Sequence, residues 1–108
     1  MREIVLVMPC ETGKQQRACQ DIHRELLARC GAYRSVLCDG EWRAPDGVDF
    51  PERCREIKVA CEKADAEVPV AVLRRYARMA GEQAIYYVGW DGEAHVDTLT
   101  REEVSDAR

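Results

Sequence analysis

Glu3-Ile4-Val5-Leu6-Val7-Met8-Pro9-Cys10-Glu11-Thr12-Gly13-Lys14-Gln15 decides the fold class of this chain. Residues 3–8 are an apolar run without alternation, ended by Pro9, which predicts a short strand buried on both faces. Thr12 and Gln15 stand at capping-box spacing, so a helix should begin at Gly13. Cys19, Ile22, Leu26 and Cys30 form its apolar stripe, and Gly31 should end it. Glu25 and Arg29 can pair across one turn of its exposed face. A strand running into a capped helix predicts an α/β domain.

Working outward, Tyr33–Cys38 reads as a second strand closed by Asp39-Gly40. Residues 39–49 hold Gly40, Pro45, Asp46 and Gly47 and read as a loop, with a short extended piece near Trp42. Asp49 as N-cap, Pro51 in the first turn and Glu52 reaching back predict a second helix over 51–66, with Cys54, Ile57, Cys61 and Ala64 inward. A third helix over 70–80 carries Val70, Leu73, Ala77 and Ala80 on one face; Arg74, Arg75 and Arg78 lie on another, with Tyr76 beside them. The run from Ala84 to Trp90, then Asp91-Gly92, then Glu93 to Asp97, predicts a hairpin with a two-residue type I′ turn. Its alternation puts Tyr86, Val88 and Trp90 on one side, Ile85 and Tyr87 on the other. Thr100 and Glu103 could cap a last short helix within a frayed tail, 100–108.

The expected order is therefore β-α-β-α-α-β-β-(α). It gives one compact domain over 1–108, with a small mixed sheet of about four strands and helices packed on it. A parallel crossover should join the first two strands. The 108 residues suit a single domain.

Composition narrows the function classes. The net charge is −4, from 16 Lys+Arg against 20 Asp+Glu, and the acidic excess falls mainly in residues 35–68. That balance argues against a protein that lives on phosphate-backbone contacts. The longest clearly apolar stretch, Ile4 to Met8, is far short of the roughly 20 residues a membrane span needs. No secretory segment is apparent, and a cytoplasmic protein is expected. The six Cys include no C-x-x-C, and only two His are present, so zinc-site spacings are missing. Four of the six fall on predicted apolar stripes, where a thiol behaves as a small hydrophobe, so reduced cysteines are expected. No cofactor or metal is implied.

One rim could carry chemistry. Ligands of open α/β sheets bind where strands end and helices begin, and a helix N-terminus favours anions and thiolates. If the second strand lies parallel beside the first, that edge gathers Cys10, Thr12, Lys14, Asp39 and Glu41. Cys10 is the one candidate nucleophile. Sharper motifs fail there. A P-loop needs Ser or Thr after Gly13-Lys14, where Gln15 stands. A cysteine-phosphatase loop needs Arg six positions after Cys10, where Gln16 stands. Pro45-Asp46 with Glu56-Ile57-Lys58 echoes a metal-nuclease pattern. That pattern needs Glu56 and Lys58 on a strand, whereas a helix would turn them roughly 200° apart.

Partner contacts are the other candidate use. Trp42, Asp46, Arg74, Arg75, Arg78 and Trp90 are the residue types that interfaces favour. With no triad, metal cluster or glycine-rich phosphate loop, the leading expectation is a non-catalytic, protein-binding regulatory domain. Its size is that of inhibitors or adaptors encoded by phages or mobile elements. A protein partner is expected, nucleic acid and membrane are not, and a homodimer is compatible with the sequence. The alternative is a small-molecule or nucleotide-binding domain, or a small enzyme, working at the rim around Cys10 and Lys14.

Overall fold

The computed structural model describes residues 1–100. Its elements are β1 (Arg2–Pro9), α1 (Gly13–Cys30), β2 (Arg34–Arg43), β3 (Asp49–Cys61), a 3₁₀ turn (Lys63–Asp65), α2 (Glu67–Ala80), β4 (Ala84–Val88) and β5 (Ala94–Thr98). The expected class holds, with α and β elements in one domain and helices packed on a sheet. That sheet has five strands in the order β2-β3-β1-β4-β5, and every neighbouring pair is antiparallel. β1 and β2 do run parallel, but β3 lies between them. Likewise β1 lies between β3 and β4. Two interlocked split β-α-β units, the ferredoxin-like arrangement, are thus extended at one edge by β5.

The first unit forms from local signals. Thr12 Oγ1 accepts the Gln15 backbone N–H at 3.1 Å, and Gln15 Oε1 accepts that of Thr12 at 3.0 Å, completing the capping box. Gly31 ends α1. The Glu25–Arg29 pair closes at 3.2 Å. β1 is central, with Ile4, Leu6 and Met8 fully buried under the helices, while Val5 and Val7 on its other face are only half-buried.

The expected helix over 51–66 is corrected: these residues are mostly strand β3, and the expected loop over 39–49 is the end of β2, a tight turn and the start of β3. Cys54, Ile57 and Cys61 fit a helical period, but Ile57, Val59 and Cys61 fit a period of two, and burial selects the latter. Ile57 and Val59 have no exposed surface, whereas a helix would have turned Val59 away from that stripe. Asp49 does not cap a helix; its carboxylate pairs with Arg43 across the hairpin, Nε to Oδ1 at 2.6 Å. The turn is Ala44-Pro45-Asp46-Gly47, with Gly47 at φ 89° and the Asp46 carboxylate accepting the Val48 N–H at 3.1 Å. Pro51 is tolerated because β1 pairs with β3 only from Cys54 onward, leaving Pro51 with a neighbour on one side.

α2 buries Pro69, Val72, Leu73, Tyr76 and Ala77. Tyr76 therefore belongs to the core and not to an arginine face. The late hairpin forms as expected, but its turn is Trp90-Asp91-Gly92. Gly92 N bonds to Gly89 O at 2.9 Å, and only Gly92 has a positive φ, so the turn is not type I′. Tyr86 and Val88 share one face, with Ile85 and Tyr87 on the other. The expected C-terminal helix from Thr100 and most of the 100–108 tail lie outside the described residues.

Both described helices pack on the sheet face of Ile4, Leu6, Met8, Ile57, Val59 and Ile85. The opposite face carries no described helix, and Val36, Trp42, Phe50, Tyr86 and Val96 are exposed on it or at its edge.

Candidate functional site

At the end of β1 the chain leaves the sheet through Pro9 and Cys10. The Cys10 N–H bonds to Arg53 O at 2.8 Å, and the Arg53 N–H to Glu11 Oε1 at 2.9 Å. These bonds dock the start of α1 against β3. The β2–β3 arm projects past this point and forms one wall of a groove of about 980 Å³ on the uncovered face. Val7, Cys54, Tyr86 and Val96 floor it. Trp42, Glu41 and Glu52 stand on the arm, and Glu82 on the α2–β4 connection faces them.

Among the described residues the groove is lined by carboxylates and by no Lys or Arg, and the Lys14 ammonium lies near Gly81 at its corner. Burial pushes the Glu52 carboxyl above the usual carboxylate range, the nearby Glu82 and Glu11 charges push it further, and a hydrogen bond from Trp42 opposes them. Gln15 fixes Glu82 by donating to Oε1 at 2.8 Å. Trp42 stacks on Phe50 with ring centroids 4.8 Å apart, so its indole is held rather than free to swing. This surface suits a cation carrying an aromatic group.

The expected rim is assembled only in part. Cys10 and Asp39 line a pocket of about 400 Å³ beside the groove, although β2 is not the neighbour of β1. Glu41 lines the groove instead. Thr12 and Lys14 line neither; Thr12 is committed to the helix cap, and the Lys14 ammonium reaches the α2–β4 corner, 3.4 Å from where a Gly81 Cβ would lie. Glu52 and Glu82 were not among the sequence candidates, and Tyr86 was read only as an aromatic on one side of the hairpin. Glu52 was masked by its resemblance to a capping residue.

Of the expected contact residues, Trp42 lines the groove and Asp46 caps the hairpin turn. Arg74 pairs with Asp97 at 3.2 Å and Arg75 with Glu25, so with Arg78 they do not form one free cationic face. Trp90 sits at the far hairpin with the Arg2 guanidinium 4.2 Å from its ring centroid. Glu56 and Lys58 do lie on one face of a strand, 3.8 Å apart, contrary to the helical expectation. Asp46, however, is at the hairpin tip, several residues along the arm. No group of three potential metal ligands occurs among the described residues.

All six cysteines are free. Burial pushes the Cys19 thiol up to about 12 and Cys54 to about 11. At pH 8 a thiol of pKa 11 is ionised to about one part in a thousand, and the thiolate is the nucleophile. We expect Cys19 and Cys54 to resist iodoacetamide in the folded protein and to react once it is unfolded in urea, as read by peptide mass spectrometry. Labelling of either at the rate of an unfolded peptide would contradict the packing described here.

No family model matches the chain, and no curated protein resembles it in sequence. Two solved structures share its fold. One is a phage SAM lyase in complex with S-methyl-5′-thioadenosine, with a TM-score of 0.62 and 11% identity over 90% of this chain and 88% of that one. The other is a phage SAM lyase in the apo state, with a TM-score of 0.60 and 12% identity over the same shares. This finding corrects the expectation of a non-catalytic regulatory domain, because nine-tenths of the chain follows the fold of an enzyme. At such identity the likeness is one of fold, and the chemistry rests on this chain's own residues.

Proposed function

We propose that this protein is a small enzyme that binds an adenosyl sulfonium, with SAM as substrate and S-methyl-5′-thioadenosine as product. The observation that carries this reading is the groove itself, where Glu41, Glu52 and Glu82 meet Trp42 and Tyr86 with no basic lining residue among the described ones. A sulfonium is a permanent cation. Carboxylates and aromatic faces are the groups that stabilise one, the latter within about 6 Å of a ring centroid. The adenine offers a π-face to Trp42, and stacking of a base on an aromatic side chain contributes about 1–3 kcal/mol. The groove volume lies at the upper end of the range for small-molecule sites, about 300–1,000 Å³. The likeness of fold to a phage SAM lyase supports the same assignment.

Formation of S-methyl-5′-thioadenosine from SAM breaks the bond between the sulfonium sulfur and the amino-acid arm. The sulfur keeps the electron pair and leaves neutral, while an oxygen of the arm's own carboxylate forms the new bond to the released carbon and closes a lactone, so no co-reactant is consumed. An acidic groove therefore holds the charged substrate more tightly than the neutral product, which favours release. Glu52, beside Trp42 in the groove, is the carboxylate placed to hold the sulfonium against the indole.

The test is direct. Purified protein incubated with SAM should generate S-methyl-5′-thioadenosine, followed by chromatography, above the rate of spontaneous decay. Calorimetric titration with S-methyl-5′-thioadenosine should give a saturable heat. Failure of both at millimolar ligand would refute the assignment.

A further inference from the structure

A second cavity, of about 350 Å³, lies on the helix side of the sheet between α1 and β3 and has the opposite polarity. Arg53 and Arg55 share the facing of Ile57 and so leave β3 on that side. Gln16, Cys19, Gln20 and His23 of α1, spaced at i, i+3, i+4 and i+7, line it with them. Among the described residues no carboxylate lines this cavity, and none of its lining residues lines the groove.

Its cations are weakly engaged. Arg55 forms no ion pair with any described carboxylate, and its hydrogen bond to Ser35 Oγ is long, at 3.5 Å. Arg53 touches Asp39 at 3.4 Å, with both side chains mostly exposed, a contact that water and salt readily replace. His23 is fixed by stacking on Tyr33, centroids 5.0 Å apart and planes 6° from parallel, and its buried Nε2 has no hydrogen-bond partner among the described residues. Burial and the Arg55 charge both lower the His23 pKa, so near neutrality the ring is uncharged and keeps one N–H to donate.

We propose that this cavity is a binding site for a small oxyanion of the phosphate class, taken between the Arg53 and Arg55 guanidinium groups with the Gln16 and Gln20 amides beside them. Two planar guanidinium forks present donors that match tetrahedral oxyanions. The site stands whatever the groove binds.

Inorganic phosphate, titrated at constant ionic strength against chloride, is the probe, with backbone amide NMR shifts as the readout. We expect saturable shifts centred on Gln16, Gln20, His23 and Arg55. Arg55→Gln should weaken binding at least tenfold. Gln20→Glu, at an exposed helix position that does not disturb the core, should do the same by placing a like charge in the cavity. Arg29→Gln, a surface arginine on the opposite side of α1 that pairs with Glu25, should change nothing. A parallel titration with glycerol 3-phosphate identifies the source: tighter binding than phosphate indicates a monoester, equal binding the free anion. Shifts that do not saturate, that centre elsewhere, or that persist unchanged in folded Gln20→Glu would overturn the proposal.

Discussion

Tyr76→Ala should lower the stability of the protein by about 3–5 kcal/mol, the usual cost of emptying a large aromatic site in a core. Tyr76 is 1% exposed, and it is held by α2 against β1 and α1. Its hydroxyl donates to the Pro9 carbonyl, at the point where the chain leaves the sheet. Burial pushes the hydroxyl pKa far up, so it remains a donor at any physiological pH. Tyr76→Phe separates the two contributions. It keeps the ring and leaves the Pro9 carbonyl without that donor, at a cost of about 1–3 kcal/mol. Urea denaturation reads both values, with an unchanged m-value showing that the unfolded state is unaffected. If Tyr76→Phe cost nothing, the hydroxyl would not be anchoring the end of β1. The functional link is short, since Pro9 lines the groove and Cys10 lines the pocket beside it.

Glu52→Gln should reduce formation of S-methyl-5′-thioadenosine at least 100-fold, equivalent to about 2.7 kcal/mol of barrier, while leaving the fold intact. The same substitution has an opposite signature in stability. The folded-state pKa of Glu52 is raised by burial and by the neighbouring Glu82 and Glu11. A raised carboxylate binds its proton more tightly folded than unfolded, so the charged form is what folding disfavours. At low pH, with Glu52 protonated in both states, wild type and variant should match. As pH rises from the ordinary carboxylate range through the raised value, the wild type should lose stability relative to Glu52→Gln, and above it the gap should stay constant. Thermal midpoints of the two proteins measured across pH 3 to 8 provide the check. A variant less stable than wild type at pH 7 would mean that Glu52 is held by favourable contacts. Unchanged turnover would remove Glu52 from the chemistry.

The segments legible in the sequence were those whose signals are local. Ile4 to Met8, the Thr12–Gln15 capping box and Gly31 specify β1 and α1 within about thirty residues, because caps and apolar periods act between near neighbours. The 84–98 hairpin and the existence of α2 were readable for the same reason, although α2 buries Pro69, Val72, Leu73, Tyr76 and Ala77, of which only Leu73 and Ala77 belong to the expected stripe. β3 was not. Its Cys54, Ile57 and Cys61 satisfy a helical stripe while Ile57, Val59 and Cys61 satisfy a strand face, and a good N-cap pattern at Asp49 tipped the local reading. The Pro45-Asp46-Gly47 turn, flanked by Trp42 and Phe50, was the signal that could have corrected it.

That error hid the groove, because Glu52 as a helix cap has no reason to meet Glu82 or Tyr86. By itself the sequence determined which segments could be regular and which side chains were apolar enough to be buried. Only the tertiary structure decided that β3 enters between β1 and β2, leaving one face of the sheet without a described helix and bringing Glu52, Trp42, Glu82 and Tyr86 around one groove. Strand order is fixed by which pairing buries the most apolar surface across the whole sheet, a sum over distant residues that no local window contains.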